Sequence, residues 1–284
     1  MTNSNNKKRI NPTKLLRLTI KFVIIIALIH ALHAVFIDTV IEYVEVSLHS
    51  ENLPPEMHGY RIALVTDTHD ITADRIEAVV AEINARQVDL LLLGGDHVPT
   101  RGFTADFNPL EVLSRTETTD GIFGVEGNHD RRADIFAIME QFGIVPLVNS
   151  GVYVREGFYL AGVGASRQNF PDIAAAVSDA GSDSFILLLA HNPDVSMEQN
   201  TIGIDLILSG HTHGGQITFF GVFAPALAIN YVTQYGHRFM SGWARSRDGV
   251  PVYTSRGTGE YLPRVFARPQ VIIITLYHEG ANMN

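Results

Sequence analysis

Five times along this chain an apolar run stops and a cluster of Asp, Asn or His follows at once. Residues 60–66 run into Asp67-Thr68-His69, and residues 88–93 into Gly94-Gly95-Asp96. Residues 121–125 lead to Gly127-Asn128-His129-Asp130, residues 185–190 to His191, and residues 205–208 to Gly210-His211-Thr212-His213. Short apolar runs bounded by glycine and polar residues read as buried strands. In open sheets ligands sit beyond the carboxyl ends of the strands, so all five clusters can meet on one rim.

The segments between these strands carry a second period. Residues 74–86 place Ile76, Val79, Val80 and Ile83 on one helical side. Further helices are expected over residues 109–115, 133–142 and 173–180. Residues 43–48 alternate like an edge strand, and short strands are expected at 145–148, 152–154 and 159–163. Strand-like runs at 216–220, 252–255 and 271–277 close the chain. No repeat, low-complexity tract or linker divides the 284 residues, which favours one domain with an N-terminal appendage.

Composition narrows the chemistry. There are no cysteines, which excludes disulfides, thiolate catalysis and Cys-ligated metals. The formal net charge of -9 disfavours a nucleic-acid binder, and no specific nucleic-acid partner is expected. It does not exclude phosphate chemistry, because bound cations supply positive charge that a residue count misses.

Taken singly, each strand-end cluster reads as a turn, a cap or a core histidine. Five together, all of metal-competent residue types, do not read as five unrelated turns. Carboxylate oxygen and imidazole nitrogen suit zinc, manganese or iron. Two cations about 3.5–4 Å apart need a shared ligand, and Asp96 is the candidate, as the lone acid of the middle cluster.

The series Asp67-x-His69, Gly95-Asp96, Gly127-Asn128-His129-Asp130, His191 and Gly210-His211-Thr212-His213 resembles the motif set of calcineurin-like metallophosphoesterases. Gly214-Gly215-Gln216 and the run Arg268-Pro269-Gln270-Val271-Ile272-Ile273 resemble its bacterial, membrane-attached branch. The resemblance implies an α/β (α+β) fold, a four-layer αββα sandwich of two mixed sheets. It implies two divalent metal ions (Mn, Zn or Fe), one held by Asp67, His69, Asp96 and His213, the other by Asp96, Asn128, His191 and His211. His129 would contact the substrate phosphate beside Asn128 and protonate the leaving group, while a hydroxide bridging the metals attacks phosphorus.

The chain departs from the family at Pro99, where many relatives carry an Asp that orients the catalytic histidine. His97 stands where an aromatic or aliphatic residue is commoner. Glu260 and Tyr261 are placed to narrow the pocket mouth, and Arg256 or Arg264 to bind phosphate or form a surface salt bridge. Phe219, Phe220 and Phe223 are expected in the core, with an apolar ledge beside the site as the alternative. The function expected is hydrolysis of a phosphomonoester or phosphodiester, with phosphoprotein phosphatase activity as an open sub-case. A non-catalytic membrane-tethered binding or assembly module is the alternative.

Residues 15–36 form an apolar stretch preceded by Lys7, Lys8, Arg9 and Lys14, with Arg17 and Lys21 just inside. About 20 apolar residues cross a bilayer. Residues 1–14 are therefore expected as a basic cytoplasmic tail, 15–36 as a single-pass signal anchor, and 37–284 as the phosphoesterase domain. A cleaved signal peptide and an interfacial helix with Lys14, Arg17 and Lys21 on its polar face are the alternatives. His30 and His33 are expected as bystanders facing a helix partner. This topology puts the protein in the cell membrane with its catalytic domain outside the cytoplasm, where a lipid-linked phosphate ester is the preferred substrate.

Overall fold

A computed structural model of the protein describes residues 11–99, 107–130, 133–165, 169–259 and 263–280. Glu260 and Tyr261 lie outside these described residues.

Two six-stranded sheets carry the fold. The first is built from β1 (Glu42–Ser50), β2 (Tyr60–Val65), β3 (Leu90–Leu93), β4 (Ile122–Gly124), β5 (Val145–Pro146) and β12 (Gln270–His278). Its spatial order is β1-β12-β2-β3-β4-β5, and every pairing is parallel except β12 against β2. The second contains β6 (Ser150–Arg155), β7 (Phe158–Val163), β8 (Phe185–Ala190), β9 (Leu206–Ser209), β10 (Gly242–Arg245) and β11 (Pro251–Thr254). Its order is β10-β11-β9-β8-β7-β6, antiparallel only at its two edges.

The inner strands β2, β3, β8 and β9 are apolar on both faces, as parallel strands covered on both sides must be. Alternate residues then sort into separate cores. Ile62 and Leu64 of β2 face Leu187 and Leu189 of β8 between the sheets. Ala63 and Val65 point the other way, onto Ile76, Val79, Val80 and Ile83 of α2 (Ala73–Ala85). Leu188 and Ala190 of β8 pack outward against Ile173 and Ala176 of the short helix Ile173–Ala176. The result is the expected αββα order of two mixed sheets between helical layers.

Two local expectations change. Residues 216–220 are a turn instead of a strand, with Gln216 and Phe220 at positive φ and only isolated bridges at Ile217 and Phe219. Phe219, Phe220 and Phe223 are 41–51% exposed, outside the core where packing was expected. The edge strand β10 carried too little alternation to be read from sequence.

The first helix, α1 (Pro12–Leu32), starts at Asn11, whose side chain accepts from Thr13 N at 3.0 Å. It continues into a π-helical turn, His33–Ile37, and residues 12–37 are long and apolar enough to cross a membrane. No α1 residue is buried. Yet His30 and His33 pack on the globular domain, where a helix partner was the expectation. His30 lies 4.6 Å from Phe220 and 5.1 Å from Phe219, ring centre to ring centre. His33 stacks on Phe266 at 3.8 Å and donates to the buried Asp38, which also accepts from Phe266 N at 2.7 Å. Both histidines face the globular domain, because its loops close against the helix end.

Candidate metal centre

Each cluster follows a strand end, and in three of them the backbone leaves the ordinary regions of φ/ψ space. Asp67, His69, Asp96, His211 and His213 all have positive φ, between 38° and 71°. Left-handed backbone is costly for a side-chain-bearing residue and gathers at functional sites. Glycines make the close approaches possible. A Cβ on Gly127 would sit 2.1 Å from Asp96 Oδ1, and one on Gly210 would sit 2.3 Å from Asp67 Oδ2.

The ligand atoms of Asp67, His69 and His213 gather within 4.8 Å of one another, as do those of Asp96, His191 and His211. Asp96 lies between the groups, its Oδ2 3.2 Å from His191 Nε2 and 3.7 Å from His69 Nε2. Asn128 Oδ1 is 3.2 Å from His191 Nε2. The ring of His129 stands 5.3 Å from that of His69, and its amide donates to Asp96 Oδ1 at 2.7 Å. All eight residues singled out from the sequence thus meet at one place. His69, Asp96, Asn128, His129, His211 and His213 line a pocket of about 780 Å³.

The outer hydrogen bonds set the tautomers, and these are the test of whether cations fit. His191 Nδ1 donates to Gly94 O at 2.8 Å, and His211 Nε2 donates to Val232 O at 3.0 Å. His213 Nδ1 donates to Gln216 Oε1 at 3.0 Å, an oxygen identified because Gln216 Nε2 donates to Pro263 O. In the neutral rings His191 Nε2, His211 Nδ1 and His213 Nε2 therefore present lone pairs inward. His211 Nδ1 and His191 Nε2 then face each other at 3.3 Å, and His213 Nε2 faces Asp67 Oδ1 at 3.2 Å. Converging lone pairs and carboxylates repel unless a proton or a cation lies among them. The donor set fits divalent metal ions.

The electrostatics agree. Burial lowers His69 and His211 to about 4, so neither ring holds a proton at neutral pH. Burial opposes a proton on His191 too, but the Asp96 carboxylate beside it prevails and raises it to about 10. Burial opposes the charge on Asp67, but the protonated His191 nearby helps to hold its carboxyl well below the usual carboxylate range.

Three supporting groups were given no role from the sequence. Asp130 is buried and accepts four backbone amides: Asp96 N and Gly127 N on one oxygen, His97 N and Val98 N on the other, all at 2.7–2.9 Å. Its position directly after His129 was the available signal. Thr66 Oγ1 donates to Asp67 Oδ2 at 2.7 Å. Gln216 orients His213, as above. His97 is fully buried, with Nδ1 against Thr68 Oγ1 at 3.1 Å and Nε2 accepting from Gly95 N at 3.2 Å, away from the pocket wall. Arg256 pairs with Glu42. Arg264, read from the sequence as a phosphate binder or a surface salt-bridge partner, is buried at 1% exposure and donates to Arg256 O and Ala267 O.

The family model of calcineurin-like phosphoesterases matches residues 60–215. That span runs from β2 to the turn holding His213. A Helicobacter pylori protein described as an uncharacterised metallophosphoesterase is 30% identical over 80% of this chain and 61% of its own length. A Danio rerio protein described as a transmembrane protein with a metallophosphoesterase domain is 28% identical over 82% of this chain and 56% of its own. A Bacillus subtilis metallophosphoesterase is 26% identical over 83% and 85%. The chain thus spans about three-fifths of the length of the Helicobacter relative. With more than half of the chain inside the family model, and the two sheets converging their strand ends on one metal-competent cluster, the chain belongs to the calcineurin-like phosphoesterase family.

Proposed function

We propose that this protein hydrolyses phosphate monoesters or diesters at a two-metal centre. The observation that carries the proposal is the inward convergence of imidazole and carboxylate lone pairs at one end of a pocket that also holds His129. Asp67, His69, Asp96 and His213 would hold one cation. Asp96, Asn128, His191 and His211 would hold the other, and zinc, manganese and iron all suit these donors. When bound, the cations polarise the phosphoryl oxygens and activate water at neutral pH.

The chain's own residues do the rest. Gly94 O, Val232 O and Gln216 keep the imidazoles in their ligating tautomers. The amide of His129, tied to Asp96, keeps its ring beside the metal ligands. From there the ring, protonated, gives its proton to the departing alkoxide oxygen. Asn128 and His129 bind the phosphoryl group as charge accumulates on it.

Residues 15–36 act as a single-pass anchor, the basic residues before them stay in the cytoplasm, and residues 37–284 form the phosphoesterase domain outside it. An ester carried by a membrane lipid is the preferred natural substrate, because the tether confines the domain to the bilayer.

The test is turnover by the full chain of a chromogenic phosphomonoester and its matching diester, with manganese, with zinc and with chelator. Turnover should need metal and fall by at least about a hundredfold in both His129→Ala and Asp96→Asn. Failure of the chain to bind metal would sink the assignment.

A further inference from the structure

One segment links the metal pocket to the first helix. It begins at Gln216, which orients His213, and it turns at Phe219 and Phe220. It then returns through Pro225, Ala226 and Tyr231 to Val232, whose carbonyl orients His211. Its outward side is apolar. Val222 and Ile229 are each 76% exposed, and Tyr231 is 80% exposed. A soluble surface rarely leaves so many large apolar side chains together in water.

What covers them follows from the helix they touch. Phe219 and Phe220 pack on His30, which lies seven residues before the end of the helical span at Ile37. At 1.5 Å per residue, that contact is roughly 10 Å inside the apolar stretch. Interfacial apolar segments sit about 5–10 Å into the boundary between headgroups and acyl chains. If the helix spans, the ledge at residues 217–231 lies within that boundary. The contact is also held rigidly, because Asp38 ties His33 to Phe266 N and Arg268 Nε donates to Val40 O at 2.7 Å.

We propose that residues 217–231 form a membrane-docking ledge which inserts into the lipid surface beside the helix. The ledge brings the mouth of the metal pocket to headgroup level, where a phosphate ester enters sideways with its acyl chain still in the bilayer. Ile217, Pro225, Ala226 and Tyr231 of the ledge line the pocket, next to Val232, so an acyl chain meets apolar surface from the bilayer to the metal ligands. The exposed tyrosine fits the headgroup level, where aromatic rings with a polar tip concentrate. The docking half depends on the helix spanning the bilayer. The substrate half rests on the phosphoesterase reading above.

The absence of cysteine makes the test direct. The full chain is reconstituted into phosphatidylcholine vesicles with a nitroxide on Val222→Cys, on Ile229→Cys, or on Ile202→Cys, an exposed site on another surface. Labels at positions 222 and 229 should collide with lipid-soluble oxygen more than with a water-soluble nickel chelate, and the label at 202 the reverse. Labels at 222 and 229 as aqueous as that at 202 would overturn docking. So would labels screened from both reagents and broadened by spin–spin coupling, the sign of a second copy on the ledge.

A second readout uses an acyl-bearing nitrophenyl phosphodiester in the vesicles and its short-chain, water-soluble counterpart. The double variant Val222→Asp, Ile229→Asp should lose about tenfold on the acyl substrate and keep its rate on the soluble one. Equal loss on both would overturn sideways entry. If the unaltered chain turned over neither ester, the phosphoesterase reading would fall, and the labels would still decide docking.

Discussion

At the scale of single residues, the site is built from side chains whose charge depends on their surroundings. His97 shows this most simply, because it is neither a ligand nor a pocket residue. Its ring is sealed between Thr68 and Gly95, and burial lowers it to about 4. In the unfolded chain the ring titrates near 6.5. As pH falls from 6.5 towards 4, the unfolded state therefore takes up a proton that the folded state refuses. Stability is fully present above that window and is lost within it, by on the order of 3 kcal/mol for this group. His69 and His211, lowered in the same way, add slope of the same sign. Denaturant unfolding of metal-free protein across this window should show a shallower slope in His97→Gln than in the parent. An unchanged slope would mean that the ring is protonated in the fold.

At the scale of elements, the strand ends are stapled to each other more than to the helices. Asp130, just past β4, accepts the amides of Asp96, His97 and Val98 after β3, together with Gly127 N. Burial and the nearby Asp96 carboxylate push Asp130 up to about 7, against the amide donors that favour its anion. An asparagine keeps one acceptor oxygen and turns an NH₂ group onto two amides that need an acceptor. Asp130→Asn should lower stability by about 2–4 kcal/mol and weaken metal binding by roughly 10–100-fold. Denaturant titration and calorimetric metal titration check the two effects. A variant with native metal affinity would show that the loops hold their geometry without this carboxylate.

At the scale of the whole molecule, the two sheets hold their rim together only because the layer between them is filled. Phe158 of β7 and Phe185 of β8 stack at 5.6 Å within that layer, both fully buried. Phe158→Ala should cost about 3–5 kcal/mol in denaturant unfolding. Its metal affinity should stay near native, because the stack does not touch the ligands. A loss of metal binding as large as that of Asp130→Asn would mean that sheet spacing itself tunes the site.

The strands β2, β3, β4, β8 and β9 and the residues ending them were legible in the chain, because burial on both faces and a polar stop are local signals. So was α2, whose 3.6-residue period repeats within one segment. The resemblance of the motif series then named every residue that converges on the metal-competent cluster. What only the tertiary structure decided depends on partners far away in sequence. The tautomer of His211 hangs on Val232 O and that of His191 on Gly94 O. Arg264 is buried, though its charge suggested a surface, because the carbonyls of Arg256 and Ala267 meet it inside. Phe219, Phe220 and Phe223 are as apolar as any core residue, and composition alone sends them inside. Phe219 and Phe220 stay exposed because the turn at Gln216 and Phe220 carries them out to the first helix, a contact of almost two hundred residues' separation that no local pattern encodes, while Phe223 stacks on His237.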